Sequence, residues 1–166
     1  KKNFNLKHKN LKIISGDIRN KKDLDKIKFK IHSIIHLAAI NGTKNFYDKP
    51  DLVLEVGLKG IINIIDFSKV NKIKEIFLAS SSEVYQNAPR FPTDENVRLI
   101  IPDPHNPRFS YSSTKIISEI LLLNSSIFKR AVIFRPHNIY GPDMGSKHVI
   151  PELIIKTLKA KKSVKI

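Results

Sequence analysis

Cysteine is missing altogether from these 166 residues. That excludes disulfides, thiolate nucleophiles and cysteine-based zinc sites, and a reducing, cytoplasmic setting is the expectation. Long apolar stretches are missing too: no run reaches the roughly 18 residues that a membrane-spanning helix needs, so no membrane partner is expected. The chain begins with Lys, and its basic first residues lead into polar sequence without an apolar h-region, so no signal peptide is read. Glycine is scarce. Its six positions (Gly16, Gly42, Gly57, Gly60, Gly141 and Gly145) contain no G-x-G-x-x-G turn. The histidines His8, His32, His36, His105, His137 and His148 show no H-x-x-x-H spacing, so no metal site is expected. His36, inside an apolar run, reads as a core histidine.

Acidic residues are outnumbered, 15 against 30 Lys and Arg, giving a net charge of +15. A nucleic-acid groove interleaves aromatics or Arg with such charge. Here the surplus is nearly all Lys, concentrated at Lys1 to Lys30 and Lys159 to Lys165 on amphipathic segments rich in Ile and Asn. A solvated lysine surface is the reading, with no nucleic-acid partner. A field of this sign also attracts diphosphates.

What is present alternates β-branched runs with helical stretches, the pattern of an α/β fold with a parallel sheet and crossover helices. Leu11–Ser15 reads as a strand ending at Gly16-Asp17, and Lys22–Lys28 as a short helix. Ser33–Leu37 is the next strand, apolar enough to be covered on both faces. Pro50 opens a long helix to about Val70, with Pro in its favoured first turn. The apolar set of that helix (Leu52, Val53, Val56, Ile61, Ile64, Ile65 and Phe67) is wider than one sheet-facing stripe needs, and a homodimer is expected to use the remainder. Glu75–Ala79 is a third strand. Five prolines make Gln86–Arg108 a loop, long enough to be read as lining a site. Tyr111 to about Phe128 is a helix, Ala131–Arg135 a fourth strand, and Pro151–Lys159 another helix, with Ser163–Ile166 resembling a new strand.

Tyr111 and Lys115 stand four apart on that helix, one turn apart on one face. A free tyrosine, with a pKa near 10, is a poor base at neutral pH, and a neighbouring ammonium favours its phenolate. Ser81, past the C-terminal end of a strand, is placed where open α/β sheets bind ligands. Its hydroxyl is suited to hold the oxygen whose proton Tyr111 removes.

Five motifs occur in order: Gly16-Asp17-Ile18-Arg19, His36-Leu37-Ala38-Ala39, Ala79-Ser80-Ser81-Ser82-Glu83-Val84-Tyr85, Tyr111-Ser112-Ser113-Thr114-Lys115, and Arg135-Pro136-His137-Asn138-Ile139-Tyr140-Gly141-Pro142. Together they closely resemble the extended short-chain dehydrogenase/reductase family, in its NAD-dependent epimerase/dehydratase branch. The resemblance covers nearly the whole chain. It implies a doubly wound parallel sheet (Rossmann-like), truncated at both ends: residues 1–145 as a partial dinucleotide-binding domain lacking its first strand and Gly-rich turn, and 146–166 as the start of a substrate-binding part.

The resemblance further implies NAD as cofactor, with NADP the alternative, and a nucleoside-diphosphate sugar as substrate. Asp17 and Ile18 would meet the adenine end, and Leu37, Ala38, Ala39 and Ser80 the ribose and pyrophosphate. Tyr111 would be the base and Lys115 the ribose-binding residue that lowers its pKa. Pro136 and His137 would pack on nicotinamide, while Ser81, Ser82 and Asn138 would meet the substrate. The implied reaction is transient oxidation of a sugar hydroxyl followed by epimerisation, with decarboxylation or dehydration as alternatives. Dehydratases of this branch carry Asp-Glu after the catalytic Ser/Thr; Ser82-Glu83 stands here, which disfavours 4,6-dehydration and adds Glu83 to the catalytic candidates, as in decarboxylating members. Gly57 and Lys59 occupy a region where many members carry an Asn, and Gln86 follows Tyr85 in place of the usual Gly. A non-catalytic dinucleotide-binding sensor is the competing reading, and the retained Ser81, Tyr111 and Lys115 speak against it.

Overall fold

The computed structural model describes residues 8–141 and 149–160. It divides into two compact units, Lys1–Arg135 and Pro136–Ile166.

In the first unit, helix α1 (Lys21–Leu24) is followed by strand β1 (Ser33–His36), helices α2 (Thr43–Asp48) and α3 (Pro50–Val70), strand β2 (Glu75–Ala79), helix α4 (Ser110–Leu123) and strand β3 (Arg130–Phe134). The three strands form one parallel sheet in the order β1-β2-β3, with Ile34 opposite Ile76 and Phe77 opposite Val132. Such connections require crossovers, and α3 and α4 supply them. The core lies between these helices and the sheet: Ile61 and Ile64 of α3, Ile76 and Leu78 of β2, and Leu122 of α4 are buried together with Ile73. Pro50 begins α3 as expected, because the proline lacks only an N–H that the first turn leaves unpaired.

Helices α3 and α4 meet at Gly57. A Cβ placed there would lie 2.6 Å from the Cβ of Thr114, so only glycine admits this approach. The contact brings α3 against the residue next to Lys115.

Several elements differ from the sequence expectation. Leu11–Ser15 forms no strand, because no strand among the described residues runs beside it to complete a ladder. Beyond Leu24 the short helix gives way to turns. Strand β1 is not covered on both faces: His36 is buried while Ile35 and Leu37 are 64% and 63% exposed, and the central strand β2 alternates in the same way, because the helices of the core cover one face of the sheet. Helix α4 stops at Leu123, five residues early, where the Asn124 side chain donates to the Ile120 carbonyl at 2.8 Å and competes with the helix ladder.

The second unit contains helix α5 (Val149–Lys159) among its described residues. The expected strand Ser163–Ile166 and the expected 145/146 domain boundary lie outside the described residues.

Candidate active site

Strand β2 ends at Ala79, and the Ser80 N–H continues the ladder by donating to the Phe134 carbonyl at 2.9 Å. Ser81 is extended and buried. Its hydroxyl accepts from the Glu83 N–H at 3.2 Å, capping a single 3-10 turn, Ser82–Val84. The second half of the site comes from another short turn, Pro107–Phe109, which runs directly into α4. The Asn106 side chain caps it by accepting from the Arg108 N–H at 2.9 Å. Tyr111 thus enters on the first turn of α4 and Lys115 on the second, both buried.

Lys115 ties the two halves together. Its Nζ donates to the Ala79 carbonyl at 2.6 Å and lies 5.5 Å from the centroid of the Tyr111 ring. The structure therefore brings Ser81, Tyr111 and Lys115 into one place, on the C-terminal side of the sheet where its parallel strands end.

Burial dominates the electrostatics. Lys115 is pushed down from 10.5 to about 8, because a desolvated ammonium is disfavoured. Tyr111 is pushed up from 10.0 by its own burial; the Ser81 hydroxyl opposes this and the Glu83 carboxylate adds to it. The sequence expectation was a tyrosine pKa lowered by Lys115. In the protein alone burial sets the direction: the ammonium is engaged by a backbone carbonyl, and the phenol is stacked on the buried Phe46 ring, centroids 5.0 Å apart and planes 11° apart. His36, also buried, is pushed down to about 4 by burial and then by the Lys115 charge, so it is neutral.

Four residues that sequence reasoning passed over complete the surroundings. Phe46 of α2 is one. Arg108 is another: its Nη2 donates to Glu83 Oε1 at 2.7 Å. Glu119 follows Lys115 by one helical turn and is 2% exposed. Arg135 donates to it through Nε at 3.0 Å and Nη2 at 2.6 Å, and the Ser80 hydroxyl donates to the same carboxylate. Arg135 Nη1 also donates to the Tyr85 hydroxyl at 3.0 Å and the Glu95 carbonyl at 3.2 Å, joining the sheet end to the long loop. The i, i+4 continuation Tyr111-Lys115-Glu119 was the one available signal.

The expected cofactor residues divide. Asp17, Ile18, Ala38 and Ala39 line a cavity of about 480 Å³ with Gly16 and Val56. Its walls are largely apolar and carry two carboxylates, Asp17 and Asp23, a lining that suits an adenosine. Arg19 already donates to Asp17, by Nη2 at 2.6 Å, holding the Asp17 carboxyl at about 2 and well below its ordinary range; the other Arg19 amine reaches Glu55 at 2.6 Å. Leu37 is exposed and not among that lining. Ser80 is 2% exposed with its hydroxyl given to Glu119, leaving only backbone to face a ligand. Ser82 is half-buried on the capped turn. Pro136, His137 and Asn138 open the second unit in irregular backbone.

Comparison with known proteins agrees with this architecture. A dTDP-D-glucose 4,6-dehydratase of Dictyostelium discoideum is 30% identical over 166 residues, covering 95% of this chain and 38% of the relative. A UDP-N-acetyl-alpha-D-glucosaminuronate decarboxylase of Bacillus cytotoxicus is 33% identical, covering 90% and 47%. The chain thus spans less than half the length of these curated relatives. Among solved structures, a UDP-N-acetylglucosamine 4-epimerase from Methanobrevibacter ruminantium in complex with UDP-N-acetylmuramic acid superposes with a TM-score of 0.78 at 28% identity, over 91% of this chain and 48% of that one. The profile of the NAD dependent epimerase/dehydratase family matches residues 1–166 in full. On the strength of that match and the parallel sheet that carries it, the chain belongs to the NAD-dependent epimerase/dehydratase family.

Proposed function

We propose that this chain supplies the base of a sugar-nucleotide epimerase, which oxidises a hydroxyl of a nucleoside-diphosphate sugar transiently and reduces the ketone from the other face. One observation carries the reading: a buried tyrosine and lysine, one turn apart, meet a capped serine at the end of a parallel sheet. Tyr111 Oη takes the hydroxyl proton as the alcohol becomes a ketone and returns it when the alcohol is re-formed. Ser81 Oγ hydrogen-bonds the same oxygen, and Lys115 supplies the positive charge that stabilises the phenolate. A bound nicotinamide dinucleotide supplies the hydride acceptor and its return. Because Tyr111 alone is pushed above its ordinary pKa, the phenolate needs cationic neighbours beyond Lys115. Asp17, Ile18, Ala38 and Ala39 would hold the adenosine end, Pro136 and His137 the nicotinamide end, and Asn138 and Ser82 the substrate.

Decarboxylation is the second reading, favoured by Glu83 beside the base and by the decarboxylase relative. A homodimer is proposed as well, supported by half-exposed apolar side chains on the long helices, Ile62 at 45% and Ile120 at 53%. No described helix is long and apolar enough to cross a membrane.

The test is Tyr111→Phe. Turnover of UDP-, GDP-, CDP- and dTDP-sugars, with products identified by mass and NMR, is expected to fall by 10²-fold or more, with cofactor binding retained. Wild-type turnover by the variant removes Tyr111 as base.

A further inference from the structure

The chemistry above makes no use of the ion pair beside it. Arg108 Nη2 donates to Glu83 Oε1 at 2.7 Å, and the guanidinium carbon lies 5.3 Å from the centroid of the Phe46 ring. That ring is the one stacked on Tyr111. Arg108 stands three residues before Tyr111 on the capped turn that becomes α4, so its backbone and that of Tyr111 are fixed by the same element. Its Nη1 is buried and has no acceptor among the described residues. Leaving a charged N–H unpaired is costly. The guanidinium is therefore held by one carboxylate and one aromatic face, and both belong to the walls around the phenol.

We propose that Arg108 is a positioning residue for Tyr111: it neutralises the Glu83 carboxylate and holds the Phe46 ring against the phenol, so that the base works beside an ion pair instead of a lone anion. This rests on Tyr111 being the base. The charged and titratable groups that face Tyr111 are few. Lys115 comes from its own helix, Glu83 from the turn after β2, and Arg108 from the turn before α4. His36, at the end of β1, is held neutral, and Tyr47 of α2 lies near Arg108. Glu83 opposes the phenolate. Without Arg108 its full charge acts on the phenol from a partly buried position, where solvent screens it only in part.

Alkaline titration of the chain, followed by phenolate absorbance, tests this. Subtracting the Tyr111→Phe titration isolates the Tyr111 step from those of Tyr47, Tyr85 and Tyr140. Arg108→Gln is expected to raise the Tyr111 midpoint by about one unit, and Glu83→Gln to lower it by a similar amount. The double variant, again without net charge at the pair, is expected to return close to wild type. A merely structural role would not produce opposite shifts from the two single variants. An unmoved midpoint in Arg108→Gln, or shifts of the same sign in both, overturns the proposal. Should Arg108→Gln melt before titration, Glu83→Gln decides: a midpoint that stays or rises overturns it. These outcomes are independent of turnover by Tyr111→Phe, which alone judges the base.

Discussion

Arg135→Leu removes one partner of the most enclosed ion pair among the described residues. The side chain of Glu119 is 3% exposed and that of Arg135 15%, so solvent screens this pair far less than the surface pairs such as Lys44–Asp48. In the variant Glu119 keeps one donor, the Ser80 hydroxyl, where it had three; Tyr85 and Glu95 each lose one. Stranding a buried carboxylate in this way costs about 3–5 kcal/mol. The lower end applies, about 3 kcal/mol, because the Ser80 bond remains. For a chain of this size that is a fall in Tm of about 6–12 °C. Replacing both residues with leucine leaves no stranded charge, and the double variant is expected to lose less than either single change implies by addition. Thermal unfolding followed by circular dichroism, at low and at physiological salt, reads all four proteins. The reasoning is refuted if Arg135→Leu lies within about 1 kcal/mol of wild type, or if the two single costs simply add.

Lys115→Met exchanges function for stability. The folded pKa of Lys115, about 8, is below its unfolded value of 10.5, so between these pH values the unfolded chain binds a proton that the folded chain does not, and wild-type stability rises with pH across that window. At pH 7 the buried cation is therefore a burden, and after loss of the Ala79 hydrogen bond the variant is expected to be about 1–2 kcal/mol more stable and without turnover, the gap closing between pH 8 and 9.5. Urea unfolding across pH checks the sign. Gly57→Ala places a methyl against Thr114 and is expected to cost about 1–3 kcal/mol, measured by the same melts; Thr114→Ser is expected to recover little of it when the two are combined, because it keeps the Cβ that the new methyl meets at 2.6 Å.

The sequence disclosed most where a local rule and the tertiary fold agree. Pro50 at the first turn of a 21-residue helix and the β-branched run of Glu75–Ala79 needed no partner to be recognised. Tyr111 and Lys115 were legible because helical spacing puts them on one face and four other motifs stand in order around them; the spacing by itself is common. Leu11–Ser15 has the composition of a strand but needs a neighbour to become one. The same limit applied at the site. Phe46 and Arg135 reach it from elements far from Tyr111 in sequence, Arg108 acquires its role only when Glu83 is set against it, and Glu119 looks like any helical glutamate until Arg135 is set against it. Nor does spacing reveal that burial raises the Tyr111 pKa, since desolvation is a property of the assembled pocket.

Strand β1 has one hydrogen-bonded neighbour, β2, and its other side has none among the described residues, while Ile35 and Leu37 stand exposed nearby. A row of open amides and carbonyls flanked by aliphatic side chains is a template on which further backbone can assemble. Samples of residues 1–166 are expected to associate through this margin as concentration rises, read by light scattering, and Ile35→Lys is expected to reduce that association without touching the phenol, the ammonium or the serine.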